Sequence, residues 1–339
     1  MHVTTIVLRR PMAHRNKPRA GSRAYRPLKR AKSDKPRIHS WPTGEAKILG
    51  FTGYKAGMTH CIAVDEQKTR ITHGSEIFVP VTVVEAPPMK VDGIRVYKNG
   101  YGGTETYTDI WCDTPDKEVG LRTCVPKKPN STEKLKKVTK ELENIGDIRL
   151  IAHTQPSLTH SPKKIPDITE LALSGDVKEK FEYAKSILGK EITIADVFKA
   201  HDFADVTSVT KGKGFGGVIK RYGVRKQPSK ATGKRRHPGT GGSWHPAHKL
   251  WVEPLPGQVG YHTRTEYNKL IIKVGDKGGE VSPAGGFLHY GPVKGHYIML
   301  YGSIPGPSKR VVRLTFPRRA KKPINLTLKH IDQSSKQGA

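Results

Sequence analysis

Residues 47–64 read KILGFTGYKAGMTHCIAV, and this stretch decides the fold class. Its β-branched and aromatic residues belong to strands, and the glycines at 50, 53 and 57 would weaken any helix. The pattern predicts strand, bend, strand, the glycines marking a bulge or a close backbone approach. Outward from it, Glu76–Glu85 (EIFVPVTVVE), Gly93–Lys98 and Thr104–Cys112 read as further strands. Later, Leu270–Val274, Val281, Gly295–Tyr301 and Lys309–Phe316 are apolar runs fenced by Gly or Pro, again the signature of strands.

The middle differs. Asn130 is placed to cap a helix and Glu133, three residues on, to return the hydrogen bond. Leu135, Val138, Leu142 and Ile145 follow at helical spacing, and Gly146 ends the run. Ile148–His153 and Ile168–Ser174 read as strands. A second helix, Asp176 to Leu188, aligns Val177, Phe181, Ala184 and Leu188 on one face. Residues 86–194 therefore form an α/β insertion in a mostly β chain.

Charge is unevenly spread. The 339 residues carry 60 Lys/Arg against 30 Asp/Glu, a formal net charge of +30. Residues 1–40 hold 12 of the bases and one acid, residues 206–252 hold 11 and none, and residues 309–339 hold 9 and one. The remainder balances at 28 of each, so a neutral body carries three basic limbs. Self-repulsion on that scale calls for a polyanion, nucleic acid before an anionic membrane. The first limb has five prolines between Pro11 and Pro42 and no periodicity, which predicts an extended arm that does not fold alone, apart from a packing edge at Ile38–Trp41.

Several classes fall away. No apolar run approaches the roughly 18 residues of a membrane span. The opening MHVTTIVLRRPM lacks the regional order of a secretory signal, and Cys61, Cys112 and Cys124 are odd in number without CxxC spacing, so a reducing cytosol is expected. KGKGFGG at Lys211–Gly217 matches GxGxxG, but no helical stripe follows and no acid appears before Glu253, so the dinucleotide reading fails. The glycines instead let backbone approach phosphates that Lys211, Lys213, Lys220 and Arg221 neutralise. His245 and His248 flank Pro246 and Ala247, with His237 and His262 nearby in sequence; no cysteine or carboxylate accompanies them, so neither a metal nor a cofactor is expected. Trp244 sits in a stretch too polar and glycine-rich to wall a core, and suits stacking on unpaired bases together with the histidines. Trp251, between Leu250 and Val252, reads as a core residue. No GxSxG, Walker or HExxH motif supports an enzyme.

Five blocks carry a resemblance: GFTGYKAGMTH (50–60), SVTKGKGFGGVIKRYG (208–223), GSWHPAHKLW (242–251), GQVGYHTRTEYNK (257–269) and GGFLHYG (285–291). In order and over nearly the whole chain they resemble the large-subunit ribosomal protein L-three family, in its archaeal and eukaryotic branch. The chain lacks the long tail of eukaryotic members, so an archaeal type is expected. At the segment where eukaryotic members carry a modified histidine it reads SKATGKRR, and that modification is not carried over.

The resemblance implies a six-stranded closed β-barrel of the translation-protein type with an inserted α/β domain and long basic RNA-penetrating extensions. On that scheme residues 1–40 are the N-terminal extension and 41–85 the first part of the barrel. The insertion is 86–194, 195–205 supply a barrel strand, 206–264 form a basic finger, and 265–339 complete the barrel and its basic tail. The finger would run towards the peptidyl-transferase centre with Trp244 at its tip. The expected partners are large-subunit ribosomal RNA and neighbouring ribosomal proteins, with no membrane and no small-molecule substrate. Expected RNA contacts are Arg15, Lys17, Arg19, Arg23, Arg26, Lys29 and Arg30 in the arm. In the finger they are Lys211, Lys213, Lys220, Arg221, Arg225, Lys226, Lys230, Lys234, Arg235, Arg236, His237, Trp244, His245, His248, Lys249, His262 and Arg264. Two other classes compete. A general nucleic-acid-binding protein would favour a groove-entering helix in the basic segments, and none is legible. An RNA-acting enzyme would bind stoichiometric zinc, or nucleotide at Lys211–Gly217.

Overall fold

Strand β1 spans Gly50–Asp65 without a break. The bend expected inside residues 47–64 is a bulge: the register against β2 (Glu76–Glu85) shifts between Lys55 and Gly57, and pairing resumes beyond it. The glycines serve close approach. A Cβ on Gly50 would stand 2.7 Å from the Leu314 carbonyl oxygen, and one on Gly53 would stand 2.8 Å from that of Glu85. The Phe287 ring fills the space beside Gly57. The computed structural model describes residues 27–43, 47–126, 129–231, 233–243, 245, 247–249, 253–319, 321 and 324–335.

Next come β3 (Met89–Gly100), β4 (Gly103–Trp111), the one-turn helix α1 (Lys117–Gly120), α2 (Ser131–Lys140) and β5 (Ile145–Thr154). They are followed by β6 (Ile168–Ala172), α3 (Val177–Ile187), β7 (Glu191–Ile192) and the short α4 (Ile194–Val197). The second half of the chain supplies β8 (Phe203–Val209), β9 (Phe215–Gly216), α5 (Val218–Tyr222), β10 (Gly257–Gln258) and β11 (Thr263–Gly275). The last three strands are β12 (Tyr297–Tyr301), β13 (Val311–Thr315) and β14 (Leu326–Ile331).

Six of these strands bond in a ring. The order β13-β8-β11-β12-β2-β1 closes through a β1–β13 ladder, every pair antiparallel, so each of the six has two partners. β14 adds to the C-terminal half of β1. Apolar runs in these strands bury both faces, alternating between two cores: in β12, Tyr297 and Met299 enter one, Ile298 and Leu300 the other. β11 carries a bulge at the register shift between Glu266 and Lys269. There Asn268 takes a φ of 53°, and the buried Asp205 carboxylate accepts its backbone N–H at 2.8 Å.

The insertion is a second antiparallel sheet, β4-β3-β5-β6 with β7 on β3, flanked by α2 and α3. One core runs through both sheets, joining Ile94, Leu150 and Phe181 of the insertion to Phe51, Val206 and Leu314 of the ring. α3 matches expectation, with Asp176 and Glu179 forming its capping box. α2 does not: Asn130 adopts φ 44° and makes no side-chain cap, and the helix stops at Lys140. A 3₁₀ turn covers Leu142–Asn144, and Ile145 already belongs to β5, whose pairing with β3 outcompetes another helical turn. Val281, expected in a strand, closes a 3₁₀ turn at Gly278–Glu280 and is buried.

The described residues fall into two compact units. One comprises those up to Arg30 and those of 213–260; the other comprises those of 31–212 and 261–339. The second unit holds both sheets. It also holds residues 31–43, more of the arm than the Ile38–Trp41 edge expected to pack. Ala31 donates its N–H to the Tyr261 carbonyl at 2.8 Å, Lys35 pairs with buried Asp167 at 2.9 Å, and Pro36 is buried.

Candidate nucleic-acid interface

In the sheet-bearing unit, β8 and β11 are followed by further rungs: Thr210 N–H bonds the His262 carbonyl at 3.0 Å, and Tyr261 N–H that of Lys211 at 3.3 Å. Lys211 is exposed there. His262 is buried at 8% exposure, which takes its ring off the surface, contrary to the expected RNA contact. Arg264 is half-buried, its pKa drawn below the ordinary guanidinium range by burial.

The other unit contains the glycine run from Lys213 onward. Val259 N–H bonds the Gly214 carbonyl and Lys213 N–H the Val259 carbonyl, each at 2.8 Å, and β9 pairs with β10. A helix does follow the glycines, although none was expected: α5, five residues long, ended by Gly223 at φ 68°. It is too short for a dinucleotide fold, and the run still lacks the downstream acid.

Arg221 on α5 has a structural task. Its Nη1 donates to the Leu255 carbonyl at 2.7 Å, its Nε to Gln258 at 3.1 Å and its Nη2 to Leu28 at 3.1 Å. All three guanidinium nitrogens thus tie the chain before and after the basic run, which leaves the side chain poorly placed to meet a phosphate. Residue type alone could not reveal this, because the acceptors are main-chain carbonyls.

The remaining cations of the run behave as a solvent-facing array. Lys213, Lys220, Arg225, Lys226, Lys230, Lys234, Arg235 and Arg236 are all exposed, and none has a carboxylate partner among the described residues. The first acid after the run, Glu253, is spent locally: Lys249 lies 3.4 Å from its carboxylate and donates to the Gly241 carbonyl at 3.1 Å. His237 Nδ1 accepts the Gly239 N–H at 3.2 Å. His245 and His248 are exposed, as are Lys29 and Arg30. Arg15, Lys17, Arg19, Arg23, Arg26, Trp244 and Trp251 lie outside the described residues. Among the described residues no cluster of three His, Cys, Asp or Glu could hold a metal ion, and no helix is long and apolar enough to cross a membrane.

An acid-free, exposed, multiply cationic surface stiffened by main-chain ties can do one thing chemically: replace counterions along a polyanion. Comparison with known proteins agrees. The family model described as Ribosomal protein L3 matches residues 12–338. The large ribosomal subunit protein uL3 of Methanospirillum hungatei is 45% identical over 338 residues, covering 97% of this chain and all of the relative. The uL3 proteins of Archaeoglobus fulgidus and Methanocaldococcus jannaschii are each 44% identical, over 95% of this chain and 99% and 98% of their own. With a family model spanning nearly its full length and archaeal relatives matched end to end, the chain belongs to the ribosomal protein L3 family.

Proposed function

We propose that this chain is a structural, non-enzymatic component of the large ribosomal subunit that clamps the subunit's RNA through its basic limbs. In this reading the six-strand ring is a closed barrel of the translation-protein type that anchors the limbs. The finger of residues 206–264 runs towards the peptidyl-transferase centre, and neighbouring ribosomal proteins cover part of the body. Its place is the cytoplasmic ribosome. Peptide transfer belongs to the RNA, and the protein supplies shape and countercharge. RNA helices hide their base edges in a deep narrow groove, so the contacts go mainly to phosphate, 2′-OH and splayed bases.

The observation that carries this reading is the stretch of exposed, carboxylate-free Lys and Arg between Lys211 and Arg236, Arg221 excepted. Its test is the salt dependence of binding to a large-subunit RNA fragment. Neutralising about eight phosphates gives a slope of log K against log salt of about −6 or steeper. A slope near −2 would reduce the array to an incidental charged surface and sink the reading.

A further inference from the structure

The sheet-bearing unit contains a cleft of about 790 Å³, within the roughly 300–1,000 Å³ of small-ligand sites. Arm residues 33–41 form one wall, and β3, β4, β5, β6, β13 and the loop after α1 with Arg122 supply the others. Three large rings line it, Trp41, Tyr97 and Trp111, and so do six cations, Lys35, Arg37, Arg95, Arg122, Arg149 and Arg313. Among the described residues Glu170 is the one carboxylate lining it, and it pairs with Arg95 and, at 3.5 Å, Arg149.

Half of the cations are already matched. Asp109 grips Arg95 with both oxygens at 2.7 Å, Asp147 holds Arg149 at 3.0 Å and Asp167 holds Lys35 at 2.9 Å. Arg37, Arg122 and Arg313 have no carboxylate partner among the described residues. Arg313 is the decisive one. It is 6% exposed, and its Nη atoms donate to the carbonyls of Pro36 and Glu170. Its Nε is buried without any acceptor. Burial draws its pKa down to about 10. The Thr169 hydroxyl, at 7% exposure in the same wall, is also buried without a partner. A desolvated guanidinium with an unmet donor and an orphaned hydroxyl lining the same cleft are costly unless an acceptor arrives.

The rings say which anion. The Tyr97 face already carries the Arg149 guanidinium at 4.6 Å; a carboxylate peptide would satisfy the arginines but bring no planar group to Trp41 or Trp111. A nucleotide supplies both halves, a phosphate for the guanidinium fork and a base for an aromatic face. The Arg313 guanidinium lies 5.8 Å from the Trp41 ring centroid, so cation and ring are neighbours. We propose that this cleft takes one unpaired nucleotide of single-stranded RNA, its phosphate on Arg313, Arg37 and Arg122 and its base on Trp41 or Trp111. The proposal rests on the RNA-binding reading above and adds to it a second, pocket-like site within the sheet-bearing unit.

The test uses the full chain and a 5′-phosphorylated single-stranded RNA hexamer, with photo-cross-links located by mass spectrometry. The hexamer is expected to cross-link to peptides containing Trp41 or Trp111. The yield there should fall about fivefold or more in Arg37→Gln/Arg122→Gln, whose exposed positions spare the fold, as loss of a charge-assisted contact predicts. Arg313→Gln should abolish those cross-links, with circular dichroism reporting whether it folds. Cross-links confined to residues 206–264, with the large-subunit RNA fragment still bound, overturn the cleft and leave the broader reading standing. Displacement of the hexamer from the cleft by equimolar hexaglutamate overturns it in favour of an acidic protein partner. Binding of neither RNA defeats both readings at once.

Discussion

Asp167 shows how one carboxylate can decide local stability. It is 1% exposed and receives Lys35 from the arm, Lys163 from the preceding turn and the Tyr54 hydroxyl. Burial alone would raise its pKa; the hydrogen bonds from Lys163 and Lys35 outweigh that and hold it below the ordinary carboxylate range. A depressed folded-state value means the stabilisation is present above the unfolded value near 4 and is lost as pH falls through the folded one. Lys35→Ala keeps Lys163, so its cost should be small, about 1 kcal/mol, and its acid-unfolding midpoint should move to higher pH. Asp167→Asn leaves two ammonium groups against a buried amide and should cost about 3 kcal/mol. Urea unfolding at pH 7 and pH 4 measures both; equal stabilities for wild type and Asp167→Asn at pH 7 would remove the pair from the fold's energetics.

Among the elements, the arm divides where the contacts do. Composition makes residues 1–40 one uniform extension, because Pro, Lys and Arg dominate throughout. The structure splits it: Ala31, Lys35 and Pro36 are bonded or buried against the sheet-bearing unit, whereas Lys29 and Arg30 belong to the other unit. Deleting residues 1–30 should shift the melting temperature by no more than a few degrees. Deleting residues 1–40 also removes the Asp167 partner and a backbone rung and uncovers the cleft wall, a combined loss expected to lower melting on the order of 10 °C. Calorimetry on the two truncations distinguishes the boundaries, and identical melting would return the boundary to residue 40.

For the whole molecule, the distribution of charge matters more than any single contact. The basic residues gather in three stretches of an otherwise balanced sequence and so spread binding over many phosphates, which makes one substitution there seldom decisive. The proposed finger tip is the test case. Trp244→Ala removes a stacking group worth about 1–3 kcal/mol per base, small beside the summed phosphate contacts. The variant should therefore still join large subunits, while nucleotides near the peptidyl-transferase centre change their chemical reactivity and peptide transfer slows. A lowered melting temperature of the free protein, with unchanged RNA reactivity, would instead make Trp244 a core residue.

What the sequence by itself determined is what local pattern can encode. Strand periodicity in β1, β2 and β12 and the capped helix α3 were legible because each depends on neighbours within a few residues. The acid-free run was legible because absence of a residue type is a property of composition, and the five family blocks implied a six-stranded closed barrel, of which the structure shows six strands bonded in a ring. Tertiary structure alone decided the rest. Gly57 permits a continuous bulged β1 because Phe287, far along the chain, packs against it. Arg221 is a brace and His262 is buried because their surroundings, main-chain carbonyls and the β11 strand end, come from chain folding rather than residue type. The cleft arises the same way. Arg37, Arg122 and Arg313 lie in segments that no window of sequence spans, and desolvation, which leaves the Arg313 Nε without an acceptor, exists only once the sheets have closed around it.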